Sequence, residues 1–280
     1  MRRSRWPLLL VTLLVSVFVL AACGDDDDDD QAATTGTSAE RAAVVPAETK
    51  VPRYAGDPSA TETPTLDAIG DLEQLPRSTT IAPKVRGSGV PMAQFLDTVS
   101  NDVATYWQKV FNNSKLRFPE TTQSIVSGSV DGPCGTIDGA NGPPIYCQAN
   151  QTIYLPVGYF EGKVAPIGDA AAVTLVGLLW GLRVQDAFGA FKAVENGRRS
   201  GLLVNLGGIC FAGSYMATVA RRNLLEQGDT EEILQTARAT ADQGTPEDVR
   251  KAKGTPQQRV DAFRIGFSRG ASACQRLNVS

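Results

Sequence analysis

The sequence AAVTLVGLLWGLRVQD, residues 171–186, has only two charged side chains, Arg183 and Asp186, both near its end. It is apolar on almost every face, which predicts a helix buried on all sides rather than one lying on a surface. Such a helix needs other elements packed around it. Upstream, Phe95, Val99, Val103, Tyr106 and Val110 recur at helical spacing, with Leu96, Trp107 and Phe111 widening the stripe. Asn112-Asn113-Ser114 ends that amphipathic helix. Residues 124–130 and 152–155 are strand candidates, separated by a loop rich in Gly and Pro. Downstream, a helix continues through residues 215–225, Gly228-Asp229 closes it, and Thr230 is placed to cap a helix over residues 231–242. The reading is one folded α+β domain over residues 91–280, mainly helical with a small sheet.

Composition limits the chemistry. The chain has 280 residues, a net charge of -3 and no histidine. Mild acidity gives no reason to expect nucleic acid, which calls for clustered Lys and Arg. The missing histidine removes the usual acid/base group near neutral pH and the commonest zinc ligand together. Ser-His, Cys-His and His-metal mechanisms within this chain are excluded.

The N-terminus carries an export signal. Arg2, Arg3 and Arg5 form a positive region, and residues 8–20 supply an apolar core too short for a membrane span of about twenty residues. Leu20-Ala21-Ala22-Cys23 resembles the bacterial lipobox, which implies a signal peptide over residues 1–22 and a diacylglycerol and palmitate anchor on Cys23. Lipidation adds about 0.8 kcal/mol per buried CH₂. The expected location is therefore the extracytoplasmic face of the cell membrane. Residues 25–30 are six aspartates, and Thr, Ser, Ala and spaced prolines dominate up to about residue 89. Residues 23–90 are read as a disordered acidic and Pro/Thr-rich tether. Within it, residues 66–75 are a candidate for a short helical turn.

Cys134 and Cys147 bracket the loop PCGTIDGANGPPIYC. An exported domain sits where disulfides persist. With Cys23 assigned to lipid, four cysteines allow three pairings; adjacency favours Cys134 with Cys147, which leaves Cys210 with Cys274. The even count leaves no thiol for a cysteine nucleophile.

Several motifs resemble the putative neutral zinc metallopeptidase family. In that family the helix equivalent to residues 178–185 reads H-E-x-G-H-x-x-Q. Here it reads Leu178-Leu179-Trp180-Gly181-Leu182-Arg183-Val184-Gln185, so Gly181 and Gln185 keep their places while the two histidines and the glutamate are leucine. Histidines one helical turn apart chelate one zinc, and the glutamate serves as general base for the metal-bound water. A family stretch E-L-Q-A-D-C-F-A-G, whose Glu or Asp is the candidate third ligand, appears as Asn205-Leu206-Gly207-Gly208-Ile209-Cys210-Phe211-Ala212-Gly213. Gly254-Thr255-Pro256-Gln257-Gln258-Arg259-Val260, then Phe263 and Gly266-Phe267, is similar to G-T-x-x-Q-R-x-x-x-F-x-x-G-F, and Cys274 falls at the terminal-cysteine position. The resemblance covers about residues 95–274. It implies a zincin-like architecture and supports the two disulfides, since active members carry a CG…YC pair at the corresponding loop.

On that resemblance Leu178, Leu179, Leu182, Asn205 and Ile209 are the degenerate positions of a metal site, and no metal, cofactor or catalytic residue is expected. The implied function is a membrane-anchored lipoprotein that binds an envelope protein or peptide, its old cleft lined by Leu178 and Leu182. Two alternatives stand beside it: a structural envelope protein whose leucines leave no groove, and a hydrolase with a rebuilt carboxylate site. For the latter Asp138, Asp169 and Asp186 are candidates, with capping the blander role for each. Arg259 is read as a structural ion pair or cap, and Arg198-Arg199 as part of a solvated turn.

Overall fold

The computed structural model describes residues 53–54, 59–72, 89–241 and 252–277. The expected signal peptide, Cys23 and the aspartate run lie outside these residues. Among them the architecture is α+β. The four-stranded sheet runs β1 (Arg53–Tyr54), β2 (Thr121–Val126), β6 (Thr152–Pro156), β5 (Ile145–Cys147). β2 and β6 are parallel, with Thr122 opposite Thr152 and Ile125 opposite Leu155; β1 and β5 are antiparallel to their neighbours. Parallel partners need a crossover, and here the chain between them forms a hairpin, β3 (Ser129–Gly132) and β4 (Gly135–Asp138), before entering β5. The Cys134–Cys147 bond ties the hairpin turn to β5, with Cα atoms 5.8 Å apart.

Among the described residues the longer helices are α1 (Met92–Asn113), α2 (Asp169–Ala187), α3 (Ala190–Glu195), α4 (Gly201–Arg221), α5 (Asp229–Ala239) and α6 (Pro256–Arg269). The helix expected at residues 171–186 is α2, buried on nearly every face from Ala170 to Gln185. Helix α4 is equally apolar. Its composition and length suit a membrane span, but 83% of that window is buried inside the protein, as in a core helix. Glycines set the distances around it. On its α2 side a Cβ on Gly181 would overlap the Gly208 carbonyl, and one on Gly177 would sit 3.5 Å from Ala212. Towards α6, a Cβ on Gly213 would overlap the Phe263 carbonyl and one on Gly266 the Cys210 carbonyl. The Cys210–Cys274 bond, with Cα atoms 5.7 Å apart, fastens α4 to the 3₁₀ turn Ala271–Gln275 after α6.

Trp180, fully buried on α2, joins the layers. Its indole N–H donates to Ser100 Oγ at 2.8 Å, and its ring meets Tyr54 edge-on at 5.2 Å and lies near-parallel to Phe118 at 6.4 Å. Tyr54 in turn donates to Asn101 at 2.6 Å. Residues before position 91, the expected start of the folded domain, thus also contribute to the core. Tyr54, Ala60, Ile69 and Leu72 are buried, and the 3₁₀ turn Asp67–Asp71 packs on the turn after α6. A few apolar side chains in a polar stretch suffice when the core leaves a place for each. The helix expected at residues 231–242 begins earlier, at Asp229, because the Asp229 carboxylate accepts the Glu226 N–H at 2.7 Å and fixes the entry.

Candidate functional site

Two of the five positions of interest, Leu178 and Leu182, meet α4 at Gly208. Leu178 and Leu182 are one turn apart on α2, and both lie over Gly208. A Cβ placed on Gly208 would be 2.9 Å from Leu182 Cδ2 and 3.1 Å from Leu178 Cδ1. Asn205 and Ile209, also one turn apart, flank Gly208 on α4. Leu178, Leu179 and Ile209 are buried; Leu182 and Asn205 are half-buried. Of the five side chains only Asn205 carries a heteroatom, and its amide nitrogen donates to the Gly201 carbonyl at 3.1 Å. A catalytic zinc takes about three protein donors and water, a structural one about four. This set offers one neutral oxygen, so the residues do not fit zinc.

Gln185 lies one turn beyond. It is fully buried, and neither amide atom has a hydrogen-bond partner in the structure. It packs against Gly207, where any Cβ would run into its amide nitrogen. Sequence reasoning singled out Gln185 as a kept residue but missed Gly207 and Gly208. The signal was present: each glycine inside a helix costs about 1 kcal/mol against alanine, so two in succession point to a close approach.

The carboxylates hold structural posts. Asp186 accepts hydrogen bonds from Tyr146 at 2.5 Å and Gln148 at 3.0 Å, and Arg183 is 3.4 Å away. Arg183 also reaches Thr121 Oγ1 and the Glu120 carbonyl, both at 3.0 Å, so this group binds α2 to two strands. Burial raises the Tyr146 hydroxyl far above its ordinary pKa, against the opposing effect of Arg183. Asp138 accepts the Ala140 N–H in a turn. Asp169, Asp229 and Glu232 gather carboxylate oxygens within 4.8 Å of one another at the start of α2. There Glu232 accepts the Ala170 N–H at 3.2 Å, a favourable place for negative charge at a helix start. The cavity beside Asp169 and Asp229 is about 20 Å³, room for about one water.

The remaining motif is structural as well. Thr255 and Gln258 form a reciprocal capping box with Pro256 at the first helical position. Arg259, buried, donates to Thr240 Oγ1 at 2.9 Å and to the Lys253 carbonyl at 3.0 Å. Arg198 and Arg199 lie in the turn before α4, where both N–H groups donate to the Ala193 carbonyl. Asp102 on α1 forms a buried ion pair with Arg222, which donates to both carboxylate oxygens at 2.8 and 2.6 Å, and accepts the Tyr215 hydroxyl at 2.6 Å.

A family model described as putative neutral zinc metallopeptidase matches residues 71–276. The protein called Uncharacterized protein YpfJ in Escherichia coli (strain K12) is 26% identical over 202 residues, which cover 65% of this chain and 69% of that protein. Its namesake in Escherichia coli O6:H1 gives the same values. No solved structure matches.

Proposed function

Since the chain belongs to the putative neutral zinc metallopeptidase family, we propose that it is a catalytically inactive member that works by binding. In this reading it is a lipoprotein anchored through Cys23 on the extracytoplasmic face of the cell membrane, and its partner is a protein or peptide of the envelope. One observation supports the loss of chemistry: Leu178 and Leu182, which match the family's chelating histidines in the sequence resemblance, pack on Gly208. Leucine donates no lone pair, and the position of the general base is a buried leucine too.

The burial of Leu178, Leu179 and Ile209 also bears on where binding occurs. It favours a filled crossing over an open groove at the old site, so binding falls to another surface.

Two measurements test the proposal. Full-length chain with Cys23→Ser, and with residues 25–30 changed to asparagine to remove adventitious metal, should contain no zinc by elemental analysis and cleave no peptide. Stoichiometric zinc or chelator-sensitive cleavage overturns the inactive reading. Protein extracted from membranes should carry lipid on Cys23 by intact mass; an unmodified thiol overturns the anchor.

A further inference from the structure

Helices α5 and α6 carry an apolar knob and an apolar hole side by side. Among the described residues Phe267 is the exposed large hydrophobic side chain, at 37%. It stacks on Phe263 with ring centres 6.0 Å apart. The two rings wall a groove of about 330 Å³ against Leu225, Ile233 and Leu234. An apolar cavity of about 150 Å³ already holds a benzene ring, so this groove has room for a phenyl side chain. Phe267 cannot fill it, being one of its walls.

The rim carries both signs of charge. Arg264, on the α6 side, has a side chain 59% exposed. Its neighbour Asp261 is 3.9 Å away, too far for a firm ion pair, and accepts the Gln257 amide at 2.8 Å instead. Glu231 stands on the α5 side, where it shares a second hollow with the groove residue Leu234. It is exposed, and its carboxylate has no partner among the described residues.

We propose that this face pairs with a second copy of the chain about a two-fold axis, each Phe267 entering the other's groove and each Arg264 meeting the other's Glu231. A two-fold contact requires one patch to be complementary to itself. This patch holds a ring beside a hole that accepts a ring, and a cation beside an anion. A partner of single charge, an anionic surface or a basic peptide alike, would meet a like charge on one side of the rim. One ring per copy makes a small interface, so a reversible monomer–dimer equilibrium is expected rather than a permanent dimer. Neither Cys23 nor the crossing of α2 and α4 takes part in this contact, so it stands or falls apart from the inactive-lipoprotein reading.

The test is sedimentation of the full chain with Cys23→Ser over a range of concentrations, in which monomer and dimer should interconvert. Phe267→Ser should weaken association roughly tenfold or more, as loss of a central aromatic anchor does. Arg264→Glu puts two acids on the rim and Glu231→Arg two bases, and each should abolish the dimer. Mixed in equal amounts, these two variants should recover it, because both rim contacts then join opposite charges; high salt should weaken that rescue. The substituted residues are exposed, so circular dichroism should stay unchanged in every variant. A chain that stays monomeric at all concentrations overturns the proposal, as does a dimer that persists in all three variants. Charge variants that remain apart when mixed overturn it too. A monomeric chain whose groove takes up an apolar dye, with uptake lost in Phe267→Ser, also overturns it and assigns the groove to a small apolar ligand.

Discussion

Gly208 shows, at the level of single residues, how Leu178 and Leu182 are packed. The family pattern has alanine there and histidines at the positions of Leu178 and Leu182. In this chain the leucines occupy the space that an alanine Cβ would need. Gly208→Ala is therefore expected to destabilise the domain by about 1 kcal/mol, overpacking being partly offset by the better helix propensity of alanine. The cost should shrink when Leu182→Ala is present, which removes the closer obstacle. Urea unfolding of the single and double variants measures the coupling; additive costs would break the link between the glycine and the leucines. The loss of donors was legible in the sequence, because residue type alone decides whether a side chain can bind zinc. The compensation was not, since it depends on which α4 residue meets α2. Gln185 was likewise visible only as a kept letter. Its burial without a partner is a property of the packed crossing.

Helix α4 is the element on which the others close. Its two glycine-lined sides face α2 and α6, and its disulfide lies on the α6 side. Gly213→Ala should cost more than Gly208→Ala, because its Cβ would meet the Phe263 backbone rather than flexible leucine tips. A lowering of the urea midpoint smaller than that of Gly208→Ala would contradict this ranking. Removing the second disulfide by Cys210→Ser with Cys274→Ser opens a sequence separation of 64 residues. Loop entropy predicts a loss of about 4 kcal/mol, seen as a lowered urea midpoint without reductant. The element boundaries that sequence reasoning found were those with local causes, such as Asn112-Asn113-Ser114 ending α1; the capping box of Thr255 and Gln258 that opens α6 was equally local but went unread. Those it misplaced, such as the start of α5 and the contribution of β1, depend on partners distant in the chain or on backbone bonds no pattern reveals.

Over the whole molecule, buried tyrosines set the alkaline limit of stability. Burial raises the hydroxyls of Tyr54, Tyr106, Tyr146 and Tyr215, that of Tyr106 to about 12. An unfolded tyrosine ionises near pH 10, so above that pH the unfolded state has released protons that the folded state keeps. The stability from these groups is thus complete below about pH 10 and falls as pH rises towards their folded pKa values. Absorbance at 295 nm should show these four tyrosines ionising only as the chain unfolds, and Tyr106→Phe should flatten the decline. Reversible ionisation of all the tyrosines near pH 10 in folded protein would refute the assignment.

The pairing of Tyr54 with Thr121, and the seat of its ring against Trp180, carry one more consequence. A chain trimmed to begin at residue 91, where composition alone draws the boundary, leaves the first residues of β2 without their antiparallel neighbour. Unpaired backbone groups beside a bared indole are a template for another copy of the same sheet. Such a trimmed chain should stick to itself, giving concentration-dependent species larger than a dimer by analytical ultracentrifugation that a chain beginning before Arg53 does not give. The short strand serves here as a shield against misassembly as well as a part of the fold.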